Sequence, residues 1–337
     1  MKKRVLYYDV LNTFATFCVV LLHTNGLSHH YSETAAWYQA FAVEVLFYWP
    51  VPIFFMLSGA TLMGYRDRYS TEVFLKKRFM RTVIPFIAWS VISAAIAKIN
   101  PLEIGFTAFI NQVFNTTIQG VYWFFIPLFA IYLAMPALSL LKNNRRILWY
   151  MAFCSFLLSC FLPNVCGYIG IKYNSALDFP MVSGYMIFVI IGYLLSTQEF
   201  KLWQRLAIYL LGIVGIAVRF FGTVLHSRAI GELYEGYFYY KGYYSIFLAV
   251  AVFVFFKQSR TIKRLEENKT VCKILGTVSG CSFGIYLTHM LVYRALALVM
   301  PTDTYVWRLA VPFLIYTICL VCTFLMKKMP IIKHIVP

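Results

Sequence analysis

Asp9, Asn12, Thr16 and His23 follow one another at spacings of three, four and seven residues, which on a helix of 3.6 residues per turn sets all four on nearly one face. They lie in or beside the apolar run 8–27. A titratable ring is costly inside hydrocarbon and by default marks a functional site there. Lipid cannot satisfy such groups, so the stripe must face protein or a wet cavity. An imidazole exchanges protons near neutral pH, so the chemistry expected of His23 is general acid–base work.

The elements that must position this stripe are membrane helices. Apolar residues make up 61% of the 337 positions and charged residues only 13%, with a mean hydropathy of +0.71, whereas soluble domains are about half apolar and a quarter charged. At about 20 residues per span, ten helices are expected over 8–27, 37–64, 82–99, 121–141, 148–163, 181–197, 206–225, 242–256, 275–299 and 307–326. The net charge of +17 does not point to nucleic acid. The segments 2–4, 66–81, 142–146, 201–205, 257–273 and 327–333 together hold 23 of the 30 Lys and Arg, an asymmetry that places them and both termini in the cytoplasm. The expected fold is thus an all-α polytopic membrane protein, one domain over 1–337 in the cytoplasmic membrane. The first apolar run reads as a span and not as a cleaved signal.

The eight Cys fall mostly within spans and read as packing residues; Cys160 and Cys166, near an outer loop, are candidates for a pair. No metal-binding motif is present, and no metal is expected.

Counting from span ends, His23 lies ~21 Å above the inner edge, Glu44 ~10 Å below the outer edge of a ~30 Å core, Arg219 ~20 Å up and His289 ~21 Å up. All four share a layer. Either they form a site, or Glu44 and Arg219 neutralise each other as a structural pair.

Five strings, in order, carry a resemblance: YDVLNTFATFCVVLLH (8–23), PIFFMLSG (52–59), FLKKRFMRTVIP (74–85), YWFFIPLFAIYLAMP (122–136) and SFGIYLTH (282–289). Through nearly its whole length the chain resembles the integral-membrane acyltransferase 3 family, which includes surface-polysaccharide O-acetyltransferases. The resemblance implies a ten-span enzyme taking an acyl group, usually acetyl, from cytoplasmic acyl-CoA to an acceptor hydroxyl outside or at the membrane. The family usually carries an Arg eleven residues before the first-helix His; here that residue is Asn12, which donates hydrogen bonds without charge.

Acyl transfer to an alcohol needs a base, a group to steady the oxyanion and exclusion of water. His23 is read as the base, Glu44 as the group orienting its ring, and His289 with Tyr286 and Ser282 as a second one-face stripe supplying donors. Lys76, Lys77, Arg78 and Arg81, with Asn12, are the candidate donor-binding set for the phosphates of acetyl-CoA, the expected co-substrate; ordinary inward-facing charge explains the cations equally well. Arg219, Trp123 and Tyr122 are read as substrate-binding, although Trp123 and Tyr122 fit an interfacial aromatic belt equally well. Ser58 and Gly59 read as small residues for close helix approach. The outer segment 231–245, rich in Tyr and Phe with Glu232 and Glu235, is a candidate platform for an envelope glycan. The expected partners are acyl-CoA, an envelope glycan or related hydroxyl acceptor and the lipid bilayer, with no nucleic acid. Two other functions fit the polar layer: a transporter of a small polar or lipid-linked sugar molecule, and a glycan-binding protein without catalysis.

Overall fold

The computed structural model describes residues 4–337, and those residues fold into helices with no strand among them. Lys2 and Lys3, placed in the cytoplasm by the charge asymmetry, lie outside the described residues. Seven helices are long and apolar enough to cross a membrane: α1 (Leu6–Thr24), α2 (Ala35–Asp67), α3 (Thr71–Ile96), α4 (Gly120–Leu141), α5 (Arg145–Tyr168), α7 (Leu202–Ile230) and α9 (Lys269–Ala297). Three shorter apolar helices, α6 (Met186–Ser196), α8 (Tyr243–Gln258) and α10 (Val311–Met326), stand where the other predicted spans were placed. The ends moved for local reasons. Helix α9 begins at Lys269, six residues earlier than hydropathy suggests, because Asn268 caps it, its Oδ1 accepting from Thr270 and Val271 N–H, as an N-cap residue does. Helix α10 begins late because the chain breaks at Ala310, ahead of Pro312, after a separate short helix Tyr305–Leu309.

Two helices contain a widened turn. Phe79–Val83 in α3 and Phe156–Phe161 in α5 are π-helical, and each lies just before a proline, Pro85 or Pro163. A proline offers no N–H and crowds the carbonyl four residues back. Here those carbonyls belong to Arg81 and Ser159, and the wider turn makes room for them.

Helix α1 sits at the centre, packed on α2, α8, α9 and α10. Close crossings use glycine as expected in membrane bundles. A Cβ at Gly59 would strike the Val189 backbone and one at Gly192 the Met56 backbone, which locks α2 on α6. Gly215 against Tyr244 does the same for α7 and α8. Large apolar side chains such as Phe153, Leu210, Ile213, Phe221 and Phe313 are left exposed, as suits helices that face lipid.

Cations tie one end of the bundle together. Arg66 donates to Pro136 O (3.0 Å), Arg145 to Leu194 O (3.3 Å), Lys257 to Leu195 O (2.9 Å) and Lys327 to Gly280 O (2.6 Å). Lys142 pairs with Asp67 at the same end. These contacts join α2 to α4, α5 and α8 to α6, and α10 to α9, as an alternating up-and-down chain requires. Cationic side chains near helix C-termini also complement the helix dipole.

Candidate functional site

A cavity of about 430 Å³ opens at this cation-rich end, between α1, α2, α3, α4 and α9. From α1 it is lined by Tyr8, Asp9, Asn12 and Thr16, so the polar stripe faces a hollow inside the protein. Its rim is fixed by Arg4, whose Nη2 is 2.8 Å from Asp9 Oδ1 and 2.8 Å from Gly276 O; the Asp9 carboxylate raises the Arg4 guanidinium above its ordinary range. Asn12 Nδ2 donates to both the backbone O and the Oγ of Ser279, at 3.1 Å each, a neutral crosslink between α1 and α9.

The basic cluster divides. Arg78 and Arg81 line the cavity, whereas Lys76 and Lys77 do not. The Lys77 ammonium lies 4.1 Å from the Tyr69 ring centroid and Lys76 is exposed. Arg78 is held over Phe74 (5.8 Å) and Tyr132 (5.6 Å), and its buried Nε has no hydrogen-bond partner. A half-buried guanidinium with one open donor is what a phosphate or carboxylate would satisfy.

Deeper in, Ser282 and Tyr286 of α9 complete the wall. Ser282 is 4% exposed and its hydroxyl has no partner. Tyr286 donates through its hydroxyl to Val121 O, and its ring centroid is 5.6 Å from that of His289. Tyr286 therefore joins the cavity to the histidines.

His23 and His289 come together, with ring centroids 5.2 Å apart and planes 34° from parallel. His289 is 1% exposed. Its Nδ1 is 2.6 Å from Tyr286 O and 3.3 Å from Ile285 O. Two carbonyl neighbours require that nitrogen to carry the proton, which leaves Nε2 as a bare lone pair; Nε2 is buried and unpartnered. His23 itself is exposed, and its ring packs by one side on the buried His289. It does not line the 430 Å³ cavity, which on α1 ends at Thr16, seven residues or ~10 Å below it.

Glu44 and Arg219 form a second pair, Oε1 to Nη2 3.5 Å, each buried. Arg219 also donates to Tyr237 O (3.1 Å) and Glu44 O (3.3 Å) and lies 3.4 Å from the Tyr48 ring centroid. The four residues expected to share one layer thus assemble as two pairs. Glu44 is engaged by Arg219, not by the His23 ring, and Arg219 sits among aromatics, not on the cavity.

Tyr122 is 1% exposed and donates to Leu287 O at 2.8 Å, so it pins α4 to α9 instead of lining an open path. Trp123 stacks on Tyr240 at 5.8 Å and 21°. Gly59 makes the close approach read from its size, while Ser58 lines the cavity. Cys160 and Cys166 are both free; Cys160 is buried at 1%, turned into the core. Sequence reasoning missed Ser279, Tyr132 and Thr82 as cavity walls. Only Ser279 carried a signal, standing three residues before Ser282 on the same helix.

A family model described as an acyltransferase domain matches residues 5–326. No curated protein and no solved structure matches the chain.

Proposed function

The chain belongs to the acyltransferase family whose model spans residues 5–326, and on that premise we propose that it is a membrane O-acyltransferase carrying an acyl group, acetyl in the first instance, from cytoplasmic acyl-CoA to a hydroxyl of an envelope glycan. The observation that carries this reading is the course of the 430 Å³ cavity, from Arg78 and Arg81 at the cationic end to Tyr286 beside the histidine pair. Arg78 and Arg81 suit the CoA phosphates, as rigid donors to anionic oxygens. They supply cationic charge to a cavity where Asn12 brings none.

The acceptor hydroxyl gives its proton to His23, the ring with open surface, as its oxygen bonds to the thioester carbonyl carbon. The carbonyl oxygen then carries the negative charge, and Ser282 has a free hydroxyl to donate to it. When the carbon–sulfur bond breaks, the thiolate leaves and takes the proton from the imidazolium, giving an ester and free CoA. His289, with its lone pair at Nε2, is the neighbouring proton acceptor. The protein resides in the cytoplasmic membrane in this reading, with the cationic end inward.

The test is transfer of label from radiolabelled acetyl-CoA to an envelope extract in membranes carrying the protein. Transfer by the native chain and none by a folded His23→Ala variant is expected. Equal transfer by that variant removes His23 from the chemistry, and no transfer by the native chain removes the acyltransferase reading.

A further inference from the structure

The opposite end of the bundle carries a second cavity, of about 460 Å³, between the end of α5, the chain near 173–178 and the loop 234–242. It shares no lining residue with the inner cavity. Its size is within the range of small-ligand sites. Four tyrosines, Tyr168, Tyr173, Tyr234 and Tyr239, form much of its wall together with Asp178 and Lys241. Among the described residues neither Asp178 nor Lys241 enters a salt bridge, so a carboxylate and an ammonium line one hollow without neutralising each other.

The loop is held from behind. Tyr237 O accepts from Arg219 Nε (3.1 Å), Phe238 O accepts from Tyr48 OH (2.6 Å), and the Tyr240 ring stacks on Tyr48 at 4.3 Å and 11°. These residues face the buried Glu44–Arg219 pair, while Tyr234, Tyr239 and Lys241 face the cavity. The site is therefore built before any ligand arrives, and the Glu44–Arg219 pair positions its loop.

Flat phenol faces take the C–H faces of a pyranose ring, a carboxylate accepts from hydroxyls, and an ammonium donates to them. A purely apolar ligand would leave both charges unpaired, and a polyanion would meet Asp178. Interfacial tyrosines alone explain single rings at the membrane edge, not four of them around one hollow with opposite charges. We infer that this outer cavity is a carbohydrate-binding subsite, gripping a part of the acceptor chain remote from the hydroxyl that reacts. Its assignment to the acceptor rests on the acyltransferase reading; carbohydrate binding itself does not.

The full chain, purified in detergent, is titrated with oligosaccharides released from cell envelopes by mild acid, and bound mass is read by native mass spectrometry. The native protein and His23→Ala bind alike, Tyr239→Phe binds nearly as well, and Tyr239→Ala combined with Asp178→Asn weakens binding at least about tenfold. Acetyl transfer to a small alcohol such as glycerol is unchanged in the combined variant, which also serves as its folding control. Absence of binding to the native protein, or equal binding by the combined variant, overturns the subsite. Binding as expected with no acyl transfer from the native chain leaves the subsite standing and removes the acyltransferase reading.

Discussion

Two pairs of titratable residues within the apolar runs, Glu44 with Arg219 and His23 with His289, are treated differently by their surroundings. Arg219 and Glu44 are enclosed by one another, by the Tyr237 and Glu44 carbonyls and by the Tyr48 face. His289 has carbonyl partners on one nitrogen only, and its Nε2 has none. A buried group with a free lone pair costs stability unless something is gained by leaving it free. The contrast sets an ion pair apart from a pair of rings with an open nitrogen, although both stand out as titratable residues within apolar runs.

Each pair can be broken in a way that sharpens the contrast. Replacing His23 or His289 by Ala is expected to lower turnover by about 10²–10⁴, the usual worth of a positioned acid–base group, with the melting temperature in detergent held. Arg219→Ala should do the reverse. Leaving Glu44 buried without its cation costs about 3–5 kcal/mol, and a joint Arg219→Met, Glu44→Leu replacement should recover most of it; chemical denaturation in micelles measures both. At the inner cavity, Arg78→Ala should raise the KM for acyl-CoA by about 10–100-fold, the worth of a charged hydrogen bond, with kcat little altered. Smallest is Lys77→Ala, within about twofold in KM because an exposed cation contributes little. An equal response of KM to Lys77 and Arg78 would mean that general surface charge, not the cavity, attracts the donor.

The apolar runs and the charge asymmetry made the bundle legible, since each lipid-crossing helix must be apolar over its own length whatever it packs against. His23 and His289 were legible for the same reason: polar groups stand out in such runs. Partnership was not. Glu44 as a ring-orienting group, Tyr122 on an acceptor path and Cys160 beside Cys166 were readings of spacing and depth, and rotation about each helix axis decided otherwise. Which cations reach the cavity was hidden as well, because Lys76, Lys77, Arg78 and Arg81 are close neighbours in sequence and only the packing of α3 on α4 separates them. The outer cavity draws its wall from segments more than 50 residues apart, and only the segment 231–245 announced itself.

The widened turn at Phe79–Val83 holds Arg81 and follows directly on Arg78, between the cationic start of α3 and its apolar remainder. It makes their aim a matter of chain length. Removing one residue from this turn leaves composition and charge essentially as they were, yet swings everything before it by about 100° around the helix axis. Arg78 would then point elsewhere, and a protein with every cation still in place would no longer present that guanidinium to the cavity.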